Sequence, residues 1–118
     1  MPADLPEITI EVTFLAPDDG GRDRLIDLPP SATSFYRPHL VVGDPGQRKA
    51  IVRDGVVITE EYLGVQFMPG SGRFEFGVPR ETSVQLLYDV SLYERLVPGE
   101  TFTVREGGQI VGFGRVLP

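Results

Sequence analysis

In Thr101-Phe102-Thr103-Val104-Arg105-Glu106-Gly107-Gly108-Gln109-Ile110-Val111, two short segments rich in apolar and β-branched residues flank a pair of glycines. Val, Ile, Thr and Phe favour extended backbone, whereas glycine adopts the positive φ angles that tight turns between strands require. This stretch therefore predicts an antiparallel β-hairpin whose turn lies at Gly107-Gly108.

Strict alternation of apolar and polar residues marks the clearest single strand, Ile8–Phe14. A period of two places one face of a strand on a core and leaves the other in water. A second hairpin is predicted where Ala50–Val52 and Val56–Ile58 flank Asp54-Gly55, a pair that suits a type I′ turn. Several short strands at hairpin spacing indicate a small β-barrel or sandwich.

Other segments are less specific in their pattern. Val84–Leu92 fits a strand and a helix, because its apolar residues recur at both spacings. Arg22–Pro30 ends in a double proline and is predicted to be a surface loop. Phe67, Phe74 and Phe76 flank a Pro/Gly turn, and we expect them in the core rather than on a base-stacking platform.

Length and charge limit the class of protein. A chain of 118 residues allows one domain, predicted to span residues 1–118, and its net charge of −6 provides no global attraction for phosphate backbones. The absence of cysteine excludes a disulfide framework.

No apolar run approaches the roughly 18 residues that span a bilayer. The start of the chain lacks the basic and apolar regions of a signal peptide, so we expect a cytoplasmic protein that does not bind membranes.

Motifs for catalysis or cofactor binding are missing from the sequence. No glycine-rich loop is followed by Lys and Ser/Thr, which argues against nucleotide binding, and no cofactor is predicted. His39 is the only histidine, and no carboxylate lies at a spacing that would complete a metal site with it. No serine lies in a nucleophile-elbow pattern. We therefore predict no catalytic and no metal-binding residues, with a small hydrolase built around His39 as the enzymatic alternative.

Basic residues do not form a continuous patch. Arg22 and Arg24 are interleaved with Asp23 and Asp27, a mixture that is typical of an ordinary solvated surface.

The stretch Phe102–Gly114, with its Arg-Glu-Gly-Gly followed by Gly-x-Gly, resembles the end of the C-terminal (third) domain of translation elongation factor Tu. Glu11–Arg22, with its Gly-Gly-Arg turn, resembles the first strand of that domain, and Tyr36-Arg37-Pro38 resembles the motif before its second strand. The resemblance runs from about Ile8 to Val116. It implies an all-β fold, a closed six-stranded antiparallel β-barrel, and it implies that Val84–Leu92 is a strand.

The same resemblance implies candidate contact residues for RNA or a protein partner. In the family, this domain packs on the GTPase domain, helps to hold the T-stem of aminoacyl-tRNA and contacts the nucleotide exchange factor. Carried over by position, the candidates are Arg105, Glu106, Gly107, Gly108, Gln109, Tyr36 and Arg37. A purely structural role for the glycine turn is the alternative.

Two segments, residues 23–35 and 68–73, are longer than their counterparts in the family. Inserted loops change the surface that a partner meets, because loops tolerate insertion and carry recognition. We therefore expect a stand-alone, non-catalytic binding module for a protein or RNA partner. The alternative is a translation-linked accessory protein that contacts tRNA or the elongation machinery directly.

Overall fold

The computed structural model describes residues 5–31, 35–49, 52–53, 56–57 and 61–118. Within them the secondary structure is almost entirely extended. The strands are β1 (Glu7–Phe14), β2 (Ile26–Leu28), β3 (His39–Val42), β4 (Val52–Arg53), β5 (Val56–Val57), β6 (Leu63–Phe67), β7 (Gly72–Phe74), β8 (Arg80–Leu86), β9 (Thr101–Glu106) and β10 (Gln109–Val116). Two short 3-10 helices, Pro17–Asp19 and Val90–Tyr93, interrupt the connections.

Six of these strands close into a barrel in the order β1-β10-β9-β3-β6-β8. Every neighbouring pair in the ring is antiparallel. The predicted fold class, a closed six-stranded antiparallel β-barrel, is confirmed. The hairpin predicted at Gly107-Gly108 joins β9 to β10, and Gly107 adopts the positive φ of +59° that the turn requires.

The interior follows the alternation seen in the sequence. Ile10, Val12 and Phe14 of β1 are at most 1% exposed. Phe14, Phe67 and Phe74 pack with ring centroids 5.6–6.0 Å apart, so the prediction that Phe67 and Phe74 are core residues is confirmed. Phe76 is only half-buried and packs against the edge of this core.

The barrel has two distinct ends. At the hairpin end lie the β9–β10 turn at residues 107–108, the end of β1 at Phe14 and the end of β6 at Phe67. At the opposite end, the loop end, residues 87–100 connect β8 to β9. Because neighbouring strands are antiparallel, successive connections between barrel strands lie at alternating ends of the barrel.

The segments that the resemblance identified as longer than in the family meet at the hairpin end. β2, from residues 23–35, pairs with β7, from the region of residues 68–73 and Phe74. Ile26 and Leu28 are buried by this pairing. The prediction that Arg22–Pro30 is wholly loop is therefore wrong, because the apolar pair Ile26 and Leu28 gains a strand partner that is distant in sequence.

The implied strand over Val84–Leu92 is also wrong in its second half. β8 ends at Leu86, and Val90–Tyr93 forms a 3-10 helix that Asp89 caps by accepting a hydrogen bond from the Ser91 amide. Tyr93 is buried instead of Leu92, and its hydroxyl donates to the Gly64 carbonyl at 2.6 Å. A buried carbonyl without a partner is costly, so this hydrogen bond favours the turn over a longer strand.

The hairpin predicted around residues 50–58 is present as the antiparallel pair β4–β5. Its proposed turn residues, Asp54 and Gly55, lie outside the described residues. Within the part of the chain that the structure describes, no helix has the length and apolar character needed to cross a membrane.

Candidate binding site at the hairpin end of the barrel

Glu106, the last residue of β9, is the centre of a side-chain network at the hairpin end. Its Oε2 atom accepts a hydrogen bond of 2.5 Å from the Tyr36 hydroxyl and forms an ion pair with the Arg22 guanidinium. The side chains of Arg22 and Glu106 are 24% and 32% exposed, so the ion pair is partly shielded from water. Shielding strengthens the interaction relative to a fully exposed pair, because water screens it less.

Arg22 is held by two further contacts. Its guanidinium carbon lies 5.3 Å from the centre of the Tyr36 ring, and its Nη1 donates to the Arg24 carbonyl at 2.6 Å. The face of the planar guanidinium packs on the Tyr36 ring, and the N–H groups at its edge donate to the Glu106 carboxylate and the Arg24 carbonyl. Arg22, Tyr36 and Glu106 come from three separate parts of the sequence and form one unit.

The local backbone explains how Arg22 reaches this position. Gly20 has a φ of +88°, a conformation that glycine adopts readily, and it ends the short 3-10 helix. Gly21 has no room for a side chain, because a Cβ there would lie 1.9 Å from the Leu15 carbonyl oxygen. Gln109 Nε2 donates to the carbonyls of Gly20 and Gly21 at 3.0 and 2.9 Å, which fastens this turn to the β9–β10 hairpin.

Tyr36 connects the network to the core. Its backbone pairs with Phe67, whose amide donates to the Tyr36 carbonyl at 2.8 Å, and the two rings lie 5.3 Å apart. Burial, followed by the hydrogen bond to Glu106 and the negative charge of Glu106, raises the pKa of Tyr36 well above its ordinary value. The hydroxyl therefore stays protonated and keeps donating to the carboxylate.

A polar cleft of about 290 Å³ opens beside the network. It is lined by Arg22, Asp23, Arg24, Glu106 and Gln109. Two cations are balanced by two carboxylates, and the amide of Gln109 is held by the loop. Such a lining suits a partner that offers both hydrogen-bond donors and acceptors, and its two carboxylates make it less attractive to a phosphate than a lining of arginine and lysine alone.

The structure brings together most of the candidates inferred from the resemblance. Tyr36, Glu106 and Gln109 meet in the network or beside it, and Gly107 and Gly108 form the exposed turn next to the cleft. Without side chains, the two glycines allow a partner to approach the backbone closely.

Arg105 and Arg37 lie elsewhere. Arg105 has 0% of its surface exposed, and it donates to the Thr103 hydroxyl at 2.9 Å and the Tyr62 hydroxyl at 3.1 Å. Arg37 lies on the barrel wall, where it donates to Gln66 at 2.6 Å. Arg105 and Arg37 are therefore not part of the site, since Arg105 is buried and Arg37 is not among the residues that line the cleft.

The charge pattern of the sequence did not identify Arg22 as a site residue. Its neighbours Asp23 and Arg24 make the segment look like an ordinary mixed surface. The available signal was the Gly20-Gly21-Arg22 turn, which is one of the motifs that carry the resemblance. Its partner Glu106 is 84 residues away, so only the closed barrel brings the pair together.

His39 lies on the barrel wall and not in the cleft. Its ring centre is 5.6 Å from that of Tyr62. Among the described residues, no group of three or more His, Cys, Asp or Glu side chains is placed to hold a metal ion.

Comparison with protein-family models gives no match, and comparison with curated proteins gives none either.

The raised pKa of Tyr36 predicts a specific dependence of stability on alkaline pH. An unfolded tyrosine ionises near 10.0, whereas folded Tyr36 keeps its proton well above that pH. The stabilisation that Tyr36 provides by keeping its proton is complete below pH 10. Above that pH the free energy of unfolding falls by about 1.4 kcal/mol per pH unit. The free energy of unfolding of Tyr36→Phe should therefore fall less steeply than that of the wild type above about pH 10.

Urea unfolding of both proteins between about pH 8 and about pH 11.5 measures these slopes. Parallel curves for the two proteins would show that Tyr36 ionises equally well in the folded chain.

Proposed function

We propose that this chain is a non-catalytic binding module that holds a protein or RNA partner at the hairpin end of its barrel. The observation that carries the proposal is the network in which Glu106 joins Arg22 and Tyr36 beside the polar cleft. Its side chains are fixed before any partner arrives. Preformed side chains lower the entropic cost of association, because less freedom is lost on binding.

The resemblance to the elongation factor Tu third domain supports this location. The closed six-stranded antiparallel barrel is compatible with that domain. The resemblance rests on Phe102–Gly114, Glu11–Arg22 and Tyr36-Arg37-Pro38, and one part of each, namely Glu106–Gln109, Gly20-Gly21-Arg22 and Tyr36, meets the others at one end of the barrel. A set of motifs that is dispersed in sequence but contiguous in space is what a shared binding surface would require.

A protein partner is favoured over RNA by the balance of charge. The cleft carries two cations and two carboxylates, and the whole chain carries a net charge of −6. Arg22 is already paired with Glu106, so little positive charge is left for a phosphate backbone.

The alternative is a translation-linked accessory that contacts tRNA. One observation favours it: exposed Arg24 lies on the same cleft, next to the exposed Gly107-Gly108 backbone. Backbone amides and an arginine together make a common kind of phosphate contact. Salt dependence distinguishes the two, because RNA binding through phosphates weakens steeply between about 50 and about 200 mM salt.

The test uses the purified full chain, the variant Glu106→Gln and the matched control Glu11→Gln. Glu11 forms the exposed ion pair with Arg115 on the barrel wall, so the control removes the same charge from another surface. Captured proteins and RNAs from a lysate are identified, and each is then measured as a purified component. We expect the partner to bind Glu106→Gln at least about tenfold more weakly than the wild type, and Glu11→Gln equally well.

A purified tRNA is measured in parallel at both salt concentrations. Tight, salt-sensitive tRNA binding that is lost in Glu106→Gln would favour the translation-linked alternative. A partner whose affinity is the same for the wild type and Glu106→Gln would overturn the proposed site.

A further inference from the structure

The loop end of the barrel exposes three large apolar side chains on one short segment. Tyr88, Val90 and Leu92 are 59%, 58% and 57% exposed. We call these three residues the loop-end surface. Single exposed apolar residues are ordinary, whereas three within five residues of one segment make that segment a candidate for contact with a partner.

This segment is held in a defined conformation. Tyr93 anchors it, since its hydroxyl donates to the Gly64 carbonyl at 2.6 Å and accepts from the Tyr88 amide at 3.1 Å. Asp89 accepts from the Ser91 amide at 2.9 Å through its side chain and from the Leu92 amide at 2.9 Å through its carbonyl. The apolar side chains are thus presented to solvent by a fixed backbone. Such pre-organisation favours binding for the same entropic reason as at the hairpin end.

A groove of about 400 Å³ runs beside the loop-end surface. Its lining includes Ser91 and Leu92 from this segment, together with Leu63, the first residue of β6, and the preceding Tyr62. The volume is within the range of sites that take small apolar groups. One or two apolar side chains of a partner would fit a groove of this size.

The charges around the groove are mainly negative. Exposed Glu61 and Glu94 lie among its lining residues, and exposed Asp89 is on the adjoining turn. Arg95 is the one basic residue among the described residues that line the groove. A complementary partner would carry positive charge beside its apolar groups.

We propose that the loop end is a second docking surface, which binds a protein segment whose apolar side chains are flanked by lysine or arginine. The apolar groups cover Tyr88, Val90 and Leu92, and the basic groups pair with the surrounding carboxylates. Because this surface is at the opposite end from the Glu106 network, both ends can be occupied at once. The chain would then link two partners.

The probes are three synthetic nine-residue peptides with identical spacing. The first contains leucines flanked by lysines, the second the same leucines flanked by glutamates, and the third lysines with serine in place of leucine. Each is titrated into the isotope-labelled full chain, and amide chemical shifts are followed by NMR. We expect the first peptide to bind at least about tenfold more tightly than the other two, with shifts confined to residues 61–63 and 88–96.

The test variant is the double substitution Val90→Ser and Leu92→Ser. Its matched control is Val78→Ser, because Val78 is 52% exposed but lies beside the start of β8, at the hairpin end. We expect the double variant to bind the lysine–leucine peptide at least about tenfold more weakly, and the control to bind it as the wild type does. Glu106→Gln should also bind it unchanged, which separates this surface from the hairpin-end site.

Three results would overturn the proposal. Equal affinity for the glutamate–leucine peptide would exclude the charge complementarity. Shifts spread over the barrel wall would exclude the location. A concentration-dependent dimer in sedimentation, abolished by the double variant, would assign the surface to a second copy of the chain instead.

Discussion

Replacing Gly114 by alanine is expected to lower the free energy of unfolding by about 3 kcal/mol, because the added methyl group has no space. A Cβ at this position would lie 2.1 Å from the Glu11 carbonyl oxygen and 2.9 Å from Cζ of Phe102. Gly114 pairs with Val12 on one side and Phe102 on the other. The oxygen belongs to the neighbouring strand β1, so relief of the clash requires the β1–β10 ladder to shift.

The matched control is Gly108→Ala in the hairpin turn. No atom lies within 4 Å of a Cβ at Gly108, and its φ is not among the positive glycine values. We expect its free energy of unfolding to stay within about 0.5 kcal/mol of the wild-type value. Urea unfolding of the three proteins measures the difference. A similar loss of stability in both variants would show that β10 adapts to a larger residue at Gly114.

Phe67→Ala is expected to cost about 4 kcal/mol, the upper range for removing a buried aromatic ring. Phe67 is 0% exposed, and its ring centre lies 5.3–6.0 Å from those of Tyr36, Phe14 and Phe74. The substitution leaves a cavity among three rings, of which Phe14 and Phe74 are held by strands β1 and β7. It also removes the ring on which Tyr36 rests, so the hairpin-end network should loosen.

Phe35→Ala provides the same chemical change on the surface. Phe35 is 44% exposed, and it contacts the Arg37 guanidinium at 5.4 Å from the ring centre. Such an exposed cation–π contact contributes about 0.5–1 kcal/mol, so a loss of at most about 1 kcal/mol is expected. Equal losses in Phe35→Ala and Phe67→Ala would contradict the assignment of the aromatic cluster as the centre of the core.

The barrel strands were predictable from the sequence where one face of a strand packs in the core and the other face is in water. Ile8–Phe14 shows the alternation that β1 has in the structure, and the Gly107-Gly108 turn fixes the last hairpin. Residues 87–93 were not predictable from period alone. Their conformation depends on the local cap by Asp89 and on a hydrogen bond from Tyr93 to the carbonyl of Gly64, 29 residues away, and this second contact has no local sequence pattern.

The candidate site was predictable in part. Glu106 and Tyr36 came from the resemblance, whereas Arg22 depends on a partner that only the closed barrel supplies. Arg105 and Glu106 illustrate a general rule, since adjacent residues of a strand point to opposite faces. Of the two adjacent candidates, Glu106 therefore lines the cleft, whereas the side chain of Arg105 is buried on the other side of the strand.

Closure of the six-stranded sheet limits how the barrel can bind a partner. Each barrel strand already has two hydrogen-bonded neighbours, so the barrel cannot recruit a partner by adding one of the partner's strands to its sheet. Recognition through the barrel has to use side chains and loops at its ends and on its wall. Substitutions there can alter affinity without disturbing the ladder that holds the strands. Such a scaffold can acquire new specificities by changes in its loops alone while its stability is conserved.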